Sequence, residues 1–308
     1  MAGRILVILG QVGTLFIMMG VGYLLGKIKA VNDQGLGSLT YIMTRVCLPC
    51  AVIRSLMVDS SPEFLRSIGF SFVLILGITL VAALVSTLLF RSRDPKQRPV
   101  LQEGAIYGNA AFMGIALVQT VFGDGAVIYA TLIVIVETIF LLVHSPLAMS
   151  DGKFSIKSVL LTPGVIAFAI GLVRLLLNIS LPGPISSSLT SLAGMNSPLA
   201  MLIVGIQMSK ADLRTTFTQV SLYSCAFIKL IAQPLLILLV LLPLHLDPLI
   251  TCTIVICKAT MQSAVLSVFA EDYGCDSKLA SQLIALSSIL MIATLPVITV
   301  IAQFATGM

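Results

Sequence analysis

Tryptophan is absent from this 308-residue chain, histidine occurs twice, and only 10% of residues are charged. So little charge excludes a soluble globular domain, whose surface draws on roughly a quarter of its residues being charged. His144 and His245 stand near outer helix ends, isolated from other potential ligands, so no metal site is expected. Period-2 alternation is missing, which removes a β-barrel. No H-E-x-x-H motif, paired Asp-rich motif or nucleophile with its base is present, so an intramembrane enzyme lacks its chemistry. Nor is there a polybasic block of the kind that binds nucleic acid, and no cofactor is implied. Five cysteines, Cys47, Cys50, Cys225, Cys252 and Cys257, lie in apolar runs and Cys275 in a loop, which is no extracellular disulfide framework. The CLPC stretch at 47–50 matches a redox spacing only formally, because that chemistry wants a thioredoxin-like setting and a stabilised thiolate.

What is abundant is apolar sequence: 58% of residues are hydrophobic and the mean hydropathy is +1.09. Runs of roughly 20 apolar residues match the helix length that about 30 Å of hydrocarbon demands. Breaks of charge, Gly and Pro divide the chain into ten expected spans, at about 5–26, 36–57, 67–90, 100–122, 125–148, 159–178, 184–208, 218–244, 248–270 and 279–305. The first follows Arg4 and is too long, and lacks a cleavage site, for a secretory signal peptide. Loop lysines and arginines fall eleven to one side (Lys27, Lys29, Arg91, Arg93, Lys96, Arg98, Lys153, Lys157, Lys210, Arg214, Lys278) and two to the other (Arg4, Arg66). The positive-inside rule then predicts a multi-pass protein of the cytoplasmic membrane with both termini outside. The net charge of +5 is accounted for by this topology.

Shifting the chain by 149 residues lays Gly22 on Gly171, Ser38 on Ser187, Pro49 on Pro198 and Ala51 on Ala200. FMGIAL at 112–117 resembles TMQSAV at 260–265, each followed by Val-Phe, at 121–122 and 268–269. The halves, 1–150 and 151–308, therefore read as two repeats of five spans, the second inverted. Inverted repeats mark secondary transporters, with substrate bound near the midplane where spans are interrupted. The fourth and ninth spans fit that description, through YGNAAFMG at 107–114 and CKATMQSAVLS at 257–267. An amide at this depth either joins neighbouring helices or lines a binding cavity, and the matched placement of Asn109 and Gln262 favours the cavity.

The chain resembles the auxin efflux carrier family, which includes plant auxin exporters and bacterial permeases attributed to malate or malonate. The resemblance runs through LPCAVIRSL (48–56), GNAAFMGIAL (108–117), TPGVIAFAIGL (162–172), SPLAMLIVGIQM (197–208), IKLIAQPLL (228–236) and 268–296. It implies an all-α polytopic membrane protein: ten helices in two inverted five-helix repeats with broken fourth and ninth helices that cross. It further implies a scaffold part (about 5–57 and 159–208), an elevator-like transport part (about 67–148 and 218–305), and a homodimer through scaffold helices. Gly22-x-x-x-Gly26 would permit close helix contact there. The chain departs from the family where prolines are usual, having Ala116 and Met261-Gln262 instead. Unwinding must then rest on Gly108, Asn109, Gly114 and local polar groups, or be slighter than in relatives.

The expected function is carriage of a small organic anion, a mono- or dicarboxylate, through the bilayer. Gly108, Asn109, Met113, Thr260, Met261, Gln262 and Ser263 are the substrate-site candidates, the amides and hydroxyls as hydrogen-bonding groups and the methionines as adaptable walls. Five basic residues lie within spans. Arg54, Arg174 and Lys229 are expected to snorkel to an interface, whereas Arg45 reads equally as substrate counter-charge or snorkelling residue. Lys258 stands deeper, beside the ninth-span break, and Glu137 occupies the middle of the fifth span. The two form a structural pair or couple transport to H⁺ or Na⁺. Glu103 reads as a rim carboxylate favouring its helix N-terminus. A channel built on the same broken helices, or a passive scaffold, are the competing readings.

Overall fold

The computed structural model describes residues 2–57, 61–149, 161, 163–209, 219–263 and 266–308. Lys153, Lys157, Lys210 and Arg214, on which part of the orientation expectation rests, lie outside these, as do Ala264 and Val265 of the TMQSAV stretch. The described residues are helical throughout except for turns and one isolated antiparallel bridge. Six described helical segments are long and apolar enough to cross a membrane: 33–55, 62–89, 124–145, 183–209, 220–244 and 277–306. Three shorter apolar helices, at 13–27, 163–176 and 248–258, accompany them. The chain is a multi-pass membrane protein.

Two compact units divide the chain. The first comprises Met1–Phe72, Ala111–Ile135 and Ile156–Lys210; the second comprises Val73–Ala110, Val136–Ser155 and Ala211–Met308.

In the first unit, α1 (Ala2–Lys27) is followed by α2 (Asp33–Ile42), whose N-cap Asn32 accepts a hydrogen bond from the Gly35 amide at 2.8 Å. A π-helical turn, Met43–Cys47, leads into α3 (Leu48–Ser55). The turn has a local cause. Pro49 has no amide hydrogen, and its ring crowds the carbonyl of Arg45 four residues back. The Leu48 amide accordingly bonds to the Met43 carbonyl five residues back.

Near the other end of this unit, α8 (Pro163–Leu176), α9 (Gly183–Gly194) and α10 (Asn196–Ser209) follow one another. The extended contact is between α1 and α10, while α3 packs on α8 and α9. Glycine permits the first: a Cβ at Gly22 would meet the Leu202 backbone, one at Gly205 the Met19 carbonyl, and one at Gly26 the Ser209 hydroxyl. The Gly22-x-x-x-Gly26 pair thus serves a contact within the chain. Replacing Gly205 by leucine is expected to cost about 1–3 kcal/mol, since the clash is with backbone and no rotamer relieves it. A lower thermal midpoint in detergent checks this; an unchanged midpoint would refute the packing.

The second unit holds the core most relevant to function. Helix α4 (Pro62–Leu89) and α7 (Asp124–Met149) each run from the first unit into it, and α5 (Arg98–Ile106) lies wholly within it. Then come α11 (Val220–Phe227), a second π turn (Ile228–Ala232), α12 (Gln233–Leu241), α13 (Pro248–Lys258), α14 (Leu266–Asp272) and α15 (Ser277–Thr306). Pro234 causes this π turn by the same mechanism, with the Gln233 amide bonded to the Ile228 carbonyl. Asp247 and Asp276 cap α13 and α15. Helix α15 contacts α5, α11, α13 and α14 and organises a core that includes Leu101, Cys225, Leu266, Leu283 and Leu286.

Candidate functional site

Two helices of the second unit stop in mid-run. Helix α5 ends at Ile106, and Tyr107 turns to extended backbone (φ −97°, ψ 127°) before a third π turn, Ala110–Gly114, leads into α6 (Ile115–Phe122). Helix α13 ends at Lys258, and residues 259–263 are non-helical. The absent prolines therefore do not restore continuous helices. The physical reason lies in where the freed backbone groups go. Gly108 and Gln262 form an antiparallel bridge: the Asn109 amide donates to the Met261 carbonyl at 2.8 Å, and the Ser263 amide to the Tyr107 carbonyl at 3.3 Å. Each break supplies the partners the other needs, which unwound backbone requires at membrane depth.

Gly108 makes the approach possible. A Cβ there would lie 2.6 Å from Thr260 Oγ1 and 3.2 Å from both Cε and Nζ of Lys229. Three further groups around the α13 break are held by α15, an involvement the sequence reading did not foresee. The Met261 amide points to Met291 Sδ at 3.2 Å, the Gln262 amide to Ser287 Oγ at 3.4 Å, and Ser288 Oγ to Met261 Sδ at 2.7 Å. Thr260 Oγ1 donates to the Cys257 carbonyl at 2.7 Å, closing the end of α13.

Side-chain polarity at the junction is only partly satisfied. Tyr107, Asn109, Thr260, Met261 and Gln262 are buried, and Ser263 is half-buried. Tyr107 Oη, Asn109 Nδ2, and both Nε2 and Oε1 of Gln262 find no hydrogen-bonding partner among the described residues, although the Gln262 side chain lies close to the Cys225 thiol. Buried polar atoms are seldom left so, and a cluster of them marks a place that accepts a polar guest or water.

Lys229 overturns its expected placement. It does not snorkel: its side chain is fully buried, with Nζ donating to the Ile106 carbonyl at 3.1 Å and to Gln233 Oε1 at 3.0 Å. Among the described residues no carboxylate lies within 4.0 Å of it. The π turn holds it at the buried carbonyl end of α5, where a cation suits the helix dipole. Lys258, also fully buried, donates to Glu137 Oε1 at 2.7 Å and to Thr79 Oγ1 at 3.2 Å. Of the two buried lysines, Lys258 is the one paired with the carboxylate, while Lys229 is held by neutral oxygens.

The remaining candidates fall elsewhere. Met113 is buried and Arg45 exposed, both in the first unit, with the Arg45 guanidinium 5.8 Å from the Tyr41 ring centroid. Arg54 pairs with Asp124 at 3.5 Å, both partly exposed, and Gln119 Nε2 donates to the same aspartate. Arg174 donates to the Leu56 carbonyl. Two expectations need correction. Glu103 is not a rim carboxylate, being 1% exposed, and His144 is not isolated, since its Nδ1 lies 2.6 Å from Glu103 Oε1 while Ser145 Oγ donates to Oε2. No group of three metal-ligating side chains occurs among the described residues.

The sequence matches the profile of a family described as membrane transport protein over residues 7–158 and again over 148–299. The chain belongs to this family, the auxin efflux carriers. It is 25% identical over 302 residues to an uncharacterized transporter of Methanothermobacter thermautotrophicus, an alignment covering 94% of this chain and 96% of that one. Family and relative indicate a transporter, not an enzyme.

Proposed function

We propose that the protein is a secondary transporter that moves a small organic anion, a mono- or dicarboxylate, across the cytoplasmic membrane by alternating access. The observation that carries this reading is the junction of the two breaks, where Asn109 Nδ2 and the Gln262 side-chain amide, without partners among the described residues, and the fully buried Lys229 Nζ converge. A carboxylate would complete that set: it accepts from the amide nitrogens and from the Lys229 side chain. The starts of the helical segments leaving the breaks add positive partial charge in the same region.

In this mechanism residues 1–150 and 151–308 are inverted repeats, and both termini lie outside the cell. The stationary scaffold comprises about 5–57 and 159–208 and forms the homodimer contact. The moving part comprises about 67–148 and 218–305, of which 67–72 and 111–135 belong to the first compact unit. Glu137 and Lys258 couple movement to H⁺ or Na⁺.

Proteoliposomes holding the protein are expected to exchange labelled malonate or acetate, accelerated by unlabelled anion on the far side. Asn109→Ala and Gln262→Ala should each reduce exchange about tenfold or more, with folding preserved, because each removes an amide that hydrogen-bonds the substrate. Unchanged exchange in both variants would sink the site. Flux that is insensitive to anion on the far side would indicate a channel.

A further inference from the structure

Away from the breaks, the second unit holds a cavity of about 390 Å³ lined by Thr87, Arg91, Arg98, Gln102, His144 and Ala148. Its walls are the end of α4 and the turn after it, the start of α5 and the end of α7. They are tied together by buried hydrogen bonds: Ser86 Oγ donates to the Gln102 carbonyl at 2.8 Å, Gln102 Nε2 to the Thr87 carbonyl at 3.2 Å, and His144 and Ser145 both engage Glu103. The helix ends that frame the cavity are thus fixed by the fold, and Arg91 enters it from the turn that joins α4 to α5.

Its chemistry is that of an oxyanion receptor. Neither Arg91 nor Arg98 has a carboxylate within 4.0 Å among the described residues. The Glu103 carboxylate is turned away, with one oxygen on His144 and the other on Ser145, and it does not line the cavity. With Nδ1 committed to Glu103, the His144 imidazole keeps Nε2 for a ligand. Two guanidinium forks and one imidazole suit a phosphate, which arginine grips through paired hydrogen bonds.

The outer side of the cavity favours a lipid as the carrier of that phosphate. Leu84 and Leu88 share one face at the end of α4 and are 63% and 61% exposed, and Arg91 follows in the turn two residues past the helix. A phosphate held by Arg91 therefore stands at the head of an apolar stripe along which acyl chains can lie. Basic pockets between helices at the membrane surface bind anionic headgroups in this way. We propose that the Arg91–Arg98–His144 cavity is a phosphate-binding site, filled by the headgroup of an anionic phospholipid.

The test uses delipidated full-length protein in detergent, with phosphatidylglycerol, phosphatidylcholine or inorganic phosphate as probes, and native mass spectrometry as the readout. Phosphatidylglycerol is expected to be retained over phosphatidylcholine, with about tenfold weaker retention in Arg91→Gln/Arg98→Gln. Arg91→Lys/Arg98→Lys, which keeps the charge but loses the fork, should fall between them. Monodisperse elution and an unchanged lipid-free thermal midpoint establish that the variants fold. Arginine-dependent binding of inorganic phosphate without lipid preference would support the phosphate site and make its ligand a soluble one. Equal retention of both lipids with no phosphate binding, or phosphatidylglycerol retention untouched by both double variants, would overturn the proposal.

Discussion

Lys229→Met is expected to lower anion exchange about a hundredfold while the protein still inserts and folds. The ammonium lies fully buried at the junction of the breaks and its described hydrogen-bonding partners are neutral oxygens. Methionine fills a similar volume with no charge. The variant therefore forfeits a charged hydrogen bond to the substrate, worth about 1.5–3 kcal/mol, and leaves only the Ile106 carbonyl and Gln233 Oε1 short of a donor. Arginine is not a mild replacement, because its planar fork needs space at a position already 3.2 Å from the place a Gly108 Cβ would occupy. The measurement is initial exchange of labelled carboxylate in proteoliposomes, beside the thermal midpoint in detergent. Wild-type exchange by Lys229→Met would remove this lysine from the site, and a collapsed midpoint would assign it to the fold instead.

The second large effect concerns Glu137. Its carboxylate sits 2.7 Å from Lys258 Nζ, with side-chain exposures of 8% and 0%. Glu137→Leu would strand a buried ammonium with Thr79 Oγ1 as its remaining partner, and breaking a buried pair in this manner costs about 3–5 kcal/mol. The combination Glu137→Leu/Lys258→Met should recover most of that stability, since an apolar pair of similar volume replaces an ion pair at little net cost. Exchange separates the two roles of the pair. If it serves coupling, the double variant folds and still exchanges anion, but its uptake no longer follows an imposed H⁺ or Na⁺ gradient. If the double variant is as unstable as Glu137→Leu, the pair energetics are refuted; if its gradient response persists, the coupling role is.

The membrane class was legible because run length and hydropathy are local properties. The breaks were legible for a similar reason: Gly108-Asn109 and the polar stretch around Gln262 weaken a helix wherever they stand. Partnership was harder to read. Lys229 sits in an apolar run whose sequence is compatible with a snorkelling stem, and its burial depends on α5 ending beside it. A usable signal was present, since a basic residue five positions before Pro234 lies within the turn that proline widens. Glu103 and His144 stand 41 positions apart, so a histidine that looks solitary along the chain acquires its carboxylate only through the packing of α5 and α7. Ser287 and Ser288 are ordinary mid-helix serines in sequence, and their role at the α13 break follows from which face of α15 turns inward.

The widened turn at Ile228–Ala232 also makes chain length a constraint in its own right. An extra residue accommodated in a helix shifts the phase of everything on one side relative to the other by about 100°. Removing one residue here would let α11 and α12 join as a regular helix only by rotating one of them, turning either Lys229 or the Gln233-Pro234 step away from its neighbours. The position of the ammonium is thus encoded by a count of residues as much as by the lysine itself, and a single-codon deletion would undo it while leaving every side chain of the junction in the sequence.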